Sequence, residues 1–124
     1  MKLQSPFVIS PRLLPALFIG GAWIQLEILP RESDGRNRYR YIIDLPRARK
    51  PVIGSDLRSG CQGGTLQEGF GSLLCFLDSC GESFRSGGEN GNLFPRNVAK
   101  WASEQESELF FVREQIESGS VLIS

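Results

Sequence analysis

The chain of 124 residues has the usual length of one domain, so we expect a single globular domain over residues 1–124. Its formal net charge is zero, which leaves no overall field to draw it to nucleic acid or to an anionic membrane. Histidine is absent, and this excludes Ser-His and Cys-His catalytic pairs and every histidine-ligated metal site.

The two halves of the chain differ in charge. Residues 1–60 contain ten Lys or Arg and five Asp or Glu, whereas residues 61–124 contain four and nine. The simpler interpretation is that the basic and acidic halves attract each other inside the fold. The alternative is that they form two separate binding faces.

The number and spacing of the cysteines indicate the cellular compartment in which the protein is found. The chain has three cysteines, Cys61, Cys75 and Cys80, in an odd number and without CxxC spacing. This pattern argues against a secreted disulfide framework and against structural zinc. We therefore expect a cytoplasmic protein with free thiols, no metal site and no cofactor.

The first 21 residues are predicted to be extended. Prolines at positions 6, 11 and 15 exclude a helix here, and Phe7–Ile9 is a candidate short strand. The apolar run over residues 13–19 is too short to span a bilayer, so we expect no membrane association. We expect the segment to pack along the hairpin that follows it, and a signal peptide ending near Gly21 is the less favoured alternative.

Two alternating stretches predict a β-hairpin at the centre of the fold. In residues 22–29 and again in residues 38–45, apolar side chains recur at every second position, as in half-buried strands. The connection contains Pro30 and Asp34-Gly35, which favour a turn. One face of the hairpin should be buried and the other should carry mixed charge. The side chains predicted to be buried are Ile24, Leu26, Tyr41 and Ile43.

A first helix is predicted from about residue 65 to residue 80. Thr65 and Glu68 form a capping box at its start, and leucine, phenylalanine and cysteine follow at helical spacing. Gly81 suits the end of this helix. Gly69 and Gly71 weaken its first turns relative to alanine, and the alternative is that they permit a close approach of another backbone.

A second helix is predicted from about residue 95 to residue 118. Pro95 fits its first position, and apolar residues follow three and four apart. A further capping pattern at Ser103–Glu106 makes a kink or break near residue 102 an open alternative. A long helix of this kind is also a candidate surface for homo-oligomer formation.

These elements together predict an α+β fold. An antiparallel sheet of three or four strands is built on the central hairpin over about residues 22–45, and the two helices pack on one of its faces. The short apolar runs Val52–Gly54 and Val121–Ile123 are candidates for additional strands.

The first candidate site is the basic and aromatic stretch from residue 36 to residue 50. Arginine on an exposed sheet face can hold carboxylates or phosphates through two parallel hydrogen bonds. Tyr39 and Tyr41 alternate with the arginines and should therefore face the core, which argues against base stacking. A solvated face with Glu27 paired to an arginine is an equally weighted alternative. The proposed partner-binding residues are Arg36, Arg38, Arg40, Arg47, Arg49 and Lys50.

The second candidate site is the glycine-rich loop that leads into the first helix. Free backbone amides at a helix N-terminus can bind an anion, and the residues concerned are Gly60, Gly63, Gly64 and Thr65. No lysine follows the glycines as in a P-loop, so a flexible turn with a cap is the simpler interpretation. Cys61, near Arg58 and the helix start, is a candidate reactive thiol, but histidine is absent as its base.

The sequence favours a small non-enzymatic protein of the regulatory adaptor or inhibitor type, with no catalytic residues. Its basic hairpin face would contact an acidic protein surface or a nucleic-acid backbone. The alternative is a small enzyme or an anion-binding domain that uses the loop over residues 60–65. The glutamates of the last predicted helix are expected to form a solvated face.

Overall fold

A computed structural model describes residues 7–9, 14–30, 33, 38–58, 65–87 and 94–120 of the chain. The described residues form one antiparallel sheet, in which the strands lie side by side in the order of the sequence. Its five strands are β1 (Phe7–Ile9), β2 (Pro15–Ile19), β3 (Ala22–Leu29), β4 (Arg38–Asp44) and β5 (Val52–Arg58). The predicted α+β fold is confirmed, and the N-terminal segment adds β1 and β2 to the strands expected from the hairpin.

The β3–β4 hairpin has the register that its alternation predicted. Ile24 lies opposite Ile43 and Leu26 lies opposite Tyr41, so these apolar side chains share one face of the sheet. All four side chains are buried, as expected. The same face continues onto β2 through Leu17, which pairs with Ile24.

A two-residue turn joins β2 to β3. Gly20 and Gly21 have φ angles of 55° and 80°, as both central residues of a type I′ turn require. The turn is also tied to the helices, because the Gly20 amide donates to Glu108 Oε2 at 2.9 Å. In addition, Trp101 Nε1 donates to the Gly20 carbonyl oxygen at 3.1 Å. The Gly-Gly pair is therefore a structural turn, and the strand before it belongs to the core.

Three helices follow the sheet: α1 (Leu66–Arg85), α2 (Arg96–Glu104) and α3 (Glu106–Glu117). Thr65 caps α1 as predicted, since its hydroxyl accepts the Glu68 amide at 3.1 Å. The second predicted helix is divided at Gln105, where α2 ends and α3 begins. The break lies close to the alternative position near residue 102, and the helix is therefore not one long rod.

Gly81 does not end α1, and this prediction was wrong. The helix continues for another turn to Arg85, and Gly81 is buried within it. A Cβ atom at Gly81 would lie 2.8 Å from the carbonyl carbon of Ala102 and from the amide of Ser103. This glycine therefore allows the backbones of α1 and α2 to pack closely, which is its other common use.

The helices cover the face of the sheet that carries Ile24 and Ile43. The buried side chains of the strands and of all three helices form one continuous core cluster, in which Phe70, Leu73, Leu77 and Val98 are fully enclosed. Gly69 lets α1 approach the sheet, since a Cβ there would lie 2.6 Å from the side chains of Leu26 and Tyr39. Among the described helices, none is both long and apolar enough to cross a membrane. The predicted strand at Val121–Ile123 lies outside the described residues.

Candidate functional site

The open face of the sheet is the face formed by the alternate residues of the strands, which point away from the helices. In β3 these positions are Trp23, Gln25 and Glu27, and in β4 they are Arg38, Arg40, Ile42 and Asp44. Apart from the exposed Ile28, the residues that alternate with them on the two strands are buried in the core. On the open face itself, Trp23 and Asp44 are exposed and the others are half-buried. The described helices contribute no cover to this face.

One end of the open face carries several apolar side chains, with Asp44 opposite Trp23. We call the cluster of Phe18, Trp23, Ile42 and Ile53 the apolar patch. Phe18 lies opposite Trp23 in the register, with 4.7 Å between ring centroids, and Ile42 lies opposite Ile53. The exposed fractions are 44% for Phe18, 41% for Trp23 and 60% for Ile53. Large apolar side chains grouped in this way mark interaction surfaces more often than scattered ones do.

The other end of the open face carries charge. Arg40 and Glu27 are opposite each other in the register and form an ion pair of 2.8 Å. Arg38 lies next to them on β4 and is half-buried. The pairing of Glu27 to an arginine is the arrangement expected for a solvated face, so the positive charge of this end is partly neutralised.

The structure divides the predicted basic residues into two groups. Arg38 and Arg40 lie on the open face, whereas Arg47, Arg49 and Lys50 are exposed in the turn beyond the far end of β4. The strand residues between Arg40 and the end of β4 separate these two groups, because a strand rises by about 3.3 Å per residue. Arg36 lies outside the described residues.

The charge asymmetry of the chain reappears as two layers. In the described sheet and its turns, Arg and Lys outnumber acidic side chains, whereas the three helices carry an excess of glutamate. The three ion pairs that join described residues each lie within one layer: Arg40–Glu27 in the sheet, and Arg85–Glu106 and Arg113–Asp78 between α1 and α3. Within this part of the chain, the opposite charges are therefore not used to hold the layers together.

Most of the glycine-rich loop lies outside the described residues. The loop residues concerned are Gly60, Cys61, Gly63 and Gly64. Its last residue, Thr65, is described and is engaged in the fold. Its hydroxyl caps α1, and its carbonyl oxygen accepts a hydrogen bond from the Tyr39 hydroxyl at 3.1 Å. These contacts are those of a helix cap, and they supply no separate support for an anion site.

The other chemically reactive groups lie apart from one another. Cys80 is buried in the core, whereas Cys75 is exposed on α1. Among the described residues, no three His, Cys, Asp or Glu side chains converge on one point as metal ligands would. In α3, Glu106 pairs with Arg85 and Glu108 accepts the Gly20 amide, so two of its glutamates have structural contacts.

The apolar patch was not predicted from the sequence. The alternation of the hairpin leaves Trp23 on the face that was expected to carry mixed charge, and no partner was predicted for Phe18. The available signal was the Gly20-Gly21 pair, which is typical of a two-residue hairpin and would have placed Phe18 opposite Trp23. Comparison of the chain with protein-family models, curated proteins and solved structures finds no significant match.

Proposed function

We propose that this protein is a non-enzymatic binding domain that docks on another protein through the open face of its sheet. The observation that carries the proposal is the apolar patch, whose large side chains are exposed on a face that the described helices do not cover. Tryptophan, phenylalanine and arginine are enriched at protein interfaces, where a few buried anchors supply most of the affinity. Trp23 is the expected anchor.

The charged end of the open face favours a partner with an acidic group beside its apolar surface. Arg38 and Arg40 are the basic side chains of the described open face that could meet such a group, and both lie on β4. An interfacial carboxylate would fix the orientation of the partner and raise the association rate, while the apolar patch would supply most of the binding energy.

A protein partner is favoured over nucleic acid for two reasons. The described open face carries Glu27 and Asp44 as well as Arg38 and Arg40, so it lacks the continuous positive track that a phosphate backbone needs. In addition, the rings of Phe18 and Trp23 are tilted by 50° against each other and pack together. This arrangement differs from two separate platforms on which successive bases stack.

The proposal is tested by affinity capture from native lysate, followed by titration of the purified partner. Trp23→Ser should weaken binding by at least about 30-fold, the effect of losing one interface anchor. Phe76→Ser is the matched control, because Phe76 on α1 is an aromatic residue of the helical layer that is 42% exposed, against 41% for Trp23. Arg38→Glu should weaken binding to a smaller extent.

The outcomes separate the alternatives. A partner that binds Trp23→Ser as tightly as the wild type would show that the open face is not the docking surface. Binding of mixed RNA or DNA in a gel shift, lost with Arg38→Glu, would replace the protein partner by nucleic acid. Urea unfolding of each variant shows whether a lost partner reflects a lost fold.

A further inference from the structure

The turn between β4 and β5 has an arginine where glycine is expected. The Ala48 amide donates to the Leu45 carbonyl oxygen at 3.3 Å, which closes a β-turn with Pro46 and Arg47 at its centre. The proline ring holds φ near −65°, and Arg47 has a φ of 67°, so the turn is of type II. Glycine or asparagine normally occupies this position, because a side chain is strained there.

Arg47 lines a cleft between this turn and α2. The cleft has a volume of about 530 Å³, which is within the range of sites for small molecules. One wall consists of Leu45, Pro46, Arg47 and Ala48 from the turn, and the other consists of Asn97, Lys100, Trp101 and Glu104 from α2. The four α2 residues recur three and four positions apart and therefore lie on one side of the helix.

Two cationic side chains line the cleft together with apolar residues. Arg47 comes from the turn and Lys100 from α2, and within the described part of the chain neither side chain forms an ion pair. Arg49 and Lys50 are exposed in the same connection and add to the local positive potential. Trp101 already donates its indole N–H to Gly20, so it offers only apolar surface to the cleft, beside Leu45.

We propose that this cleft binds a small organic anion. Arg47 and Lys100 would hold its carboxylate or phosphate group from opposite walls, and Leu45 and Trp101 would cover its apolar part. Glu104, the acidic residue of the lining, would accept a hydrogen bond from a hydroxyl or amino group of the ligand. The site lies beyond the end of β4 and shares no lining residue with the apolar patch.

The strained turn provides a variant that separates stability from binding. Arg47→Gly removes the side chain and also removes the strain, so it should raise the Tm by about 4 °C while weakening anion binding at least tenfold. A purely structural arginine would show no such opposite effects. Lys100→Ala should weaken binding to a similar extent with little change in Tm. Arg96→Ala is the control, because Arg96 lies on α2 over the ring of Phe84 and does not line the cleft.

Binding is followed by NMR through the two indole N–H signals. The chain contains two tryptophans, so Trp101 reports on the cleft and Trp23 serves as an internal reference on the open face. The probes are 3-phenylpropionate, phenyl phosphate and inorganic phosphate at matched ionic strength, with 3-phenylpropionamide as the uncharged analogue. Phenylpropionate or phenyl phosphate should shift the Trp101 signal in a saturable manner, and the amide should not.

Three results would overturn the proposal. The first is a Trp101 signal that none of the anions shifts in the wild type. The second is binding of equal strength in the wild type, Arg47→Gly and Lys100→Ala. The third is equal binding of the uncharged amide, which would leave only apolar contact. Should Arg47→Gly fail to fold, Lys100→Ala decides the question alone.

Discussion

The two faces of the β3–β4 hairpin are made from alternate residues of the same strands, yet they meet different surroundings. Ile43 is fully buried beneath the helices, whereas its neighbour Ile42 lies half-buried on the open face beside Ile53. The covered face contributes to the free energy of unfolding through its burial. The open face retains exposed apolar area whose burial would be favourable in a complex. One amphipathic hairpin therefore supplies part of the core on one face and leaves apolar side chains exposed on the other.

The largest effect that tests this comparison is expected at Ile43. Ile43→Ala should lower the free energy of unfolding by about 2–5 kcal/mol, because a buried side chain is replaced by a cavity. The adjacent change Ile42→Ala should cost less than about 1 kcal/mol, since that side chain remains partly in contact with water. Urea unfolding of both variants measures the difference, and equal losses would show that the open face is covered in the folded protein.

The next largest effect is expected at the contact between α1 and α2. Gly81→Ala should lower the free energy of unfolding by about 1–3 kcal/mol, because its methyl group would meet backbone atoms of Ala102 and Ser103 that cannot move independently. Gly71→Ala is the matched control in the same helix. Nothing lies within 4 Å of its added Cβ, so it should stabilise the protein by up to about 1 kcal/mol. A neutral Gly81→Ala would mean that the helices separate readily.

The smallest effect is expected for the ion pair on the open face. The side chains of Arg40 and Glu27 are 43% and 38% exposed, so solvent screens much of their attraction. A double-mutant cycle with alanine at both positions should give a coupling free energy of about 0.2–1 kcal/mol. This coupling should decrease in high salt. A larger, salt-independent value would indicate that the charged end of the face is shielded from water.

Local sequence was sufficient for the central hairpin and for the start of α1. Alternation placed Ile24, Leu26, Tyr41 and Ile43 on one face because a strand has a period of two, and the covered face followed from that pattern. The cap at Thr65 depends only on residues within one helical turn, so it too was predictable. The exposure of Cys75 follows from helical spacing in the same way, because that spacing places Cys75 away from the side of α1 that carries Phe70, Leu73 and Leu77.

The candidate site was predictable only in part. The sequence placed Arg38 and Arg40 on the face opposite the tyrosines, as the structure has them. It treated Arg47, Arg49 and Lys50 as an extension of the same surface, whereas the turn at Pro46 directs the chain towards α2 and away from that face. Arg36 and the loop over residues 60–64 remain predictions, as do the cytoplasmic location and a homo-oligomer.

The sequence by itself determined which residues alternate, where prolines and glycines interrupt the chain, and which chemistry the absence of histidine excludes. These properties depend on composition and on neighbours a few positions away. Only the tertiary structure decided that Gly81 packs against the backbone of α2, that the face with Phe18 and Trp23 is left exposed, and that Arg47 and Lys100 line one cleft. Each of these arrangements depends on how the layers of the fold pack together rather than on any local pattern.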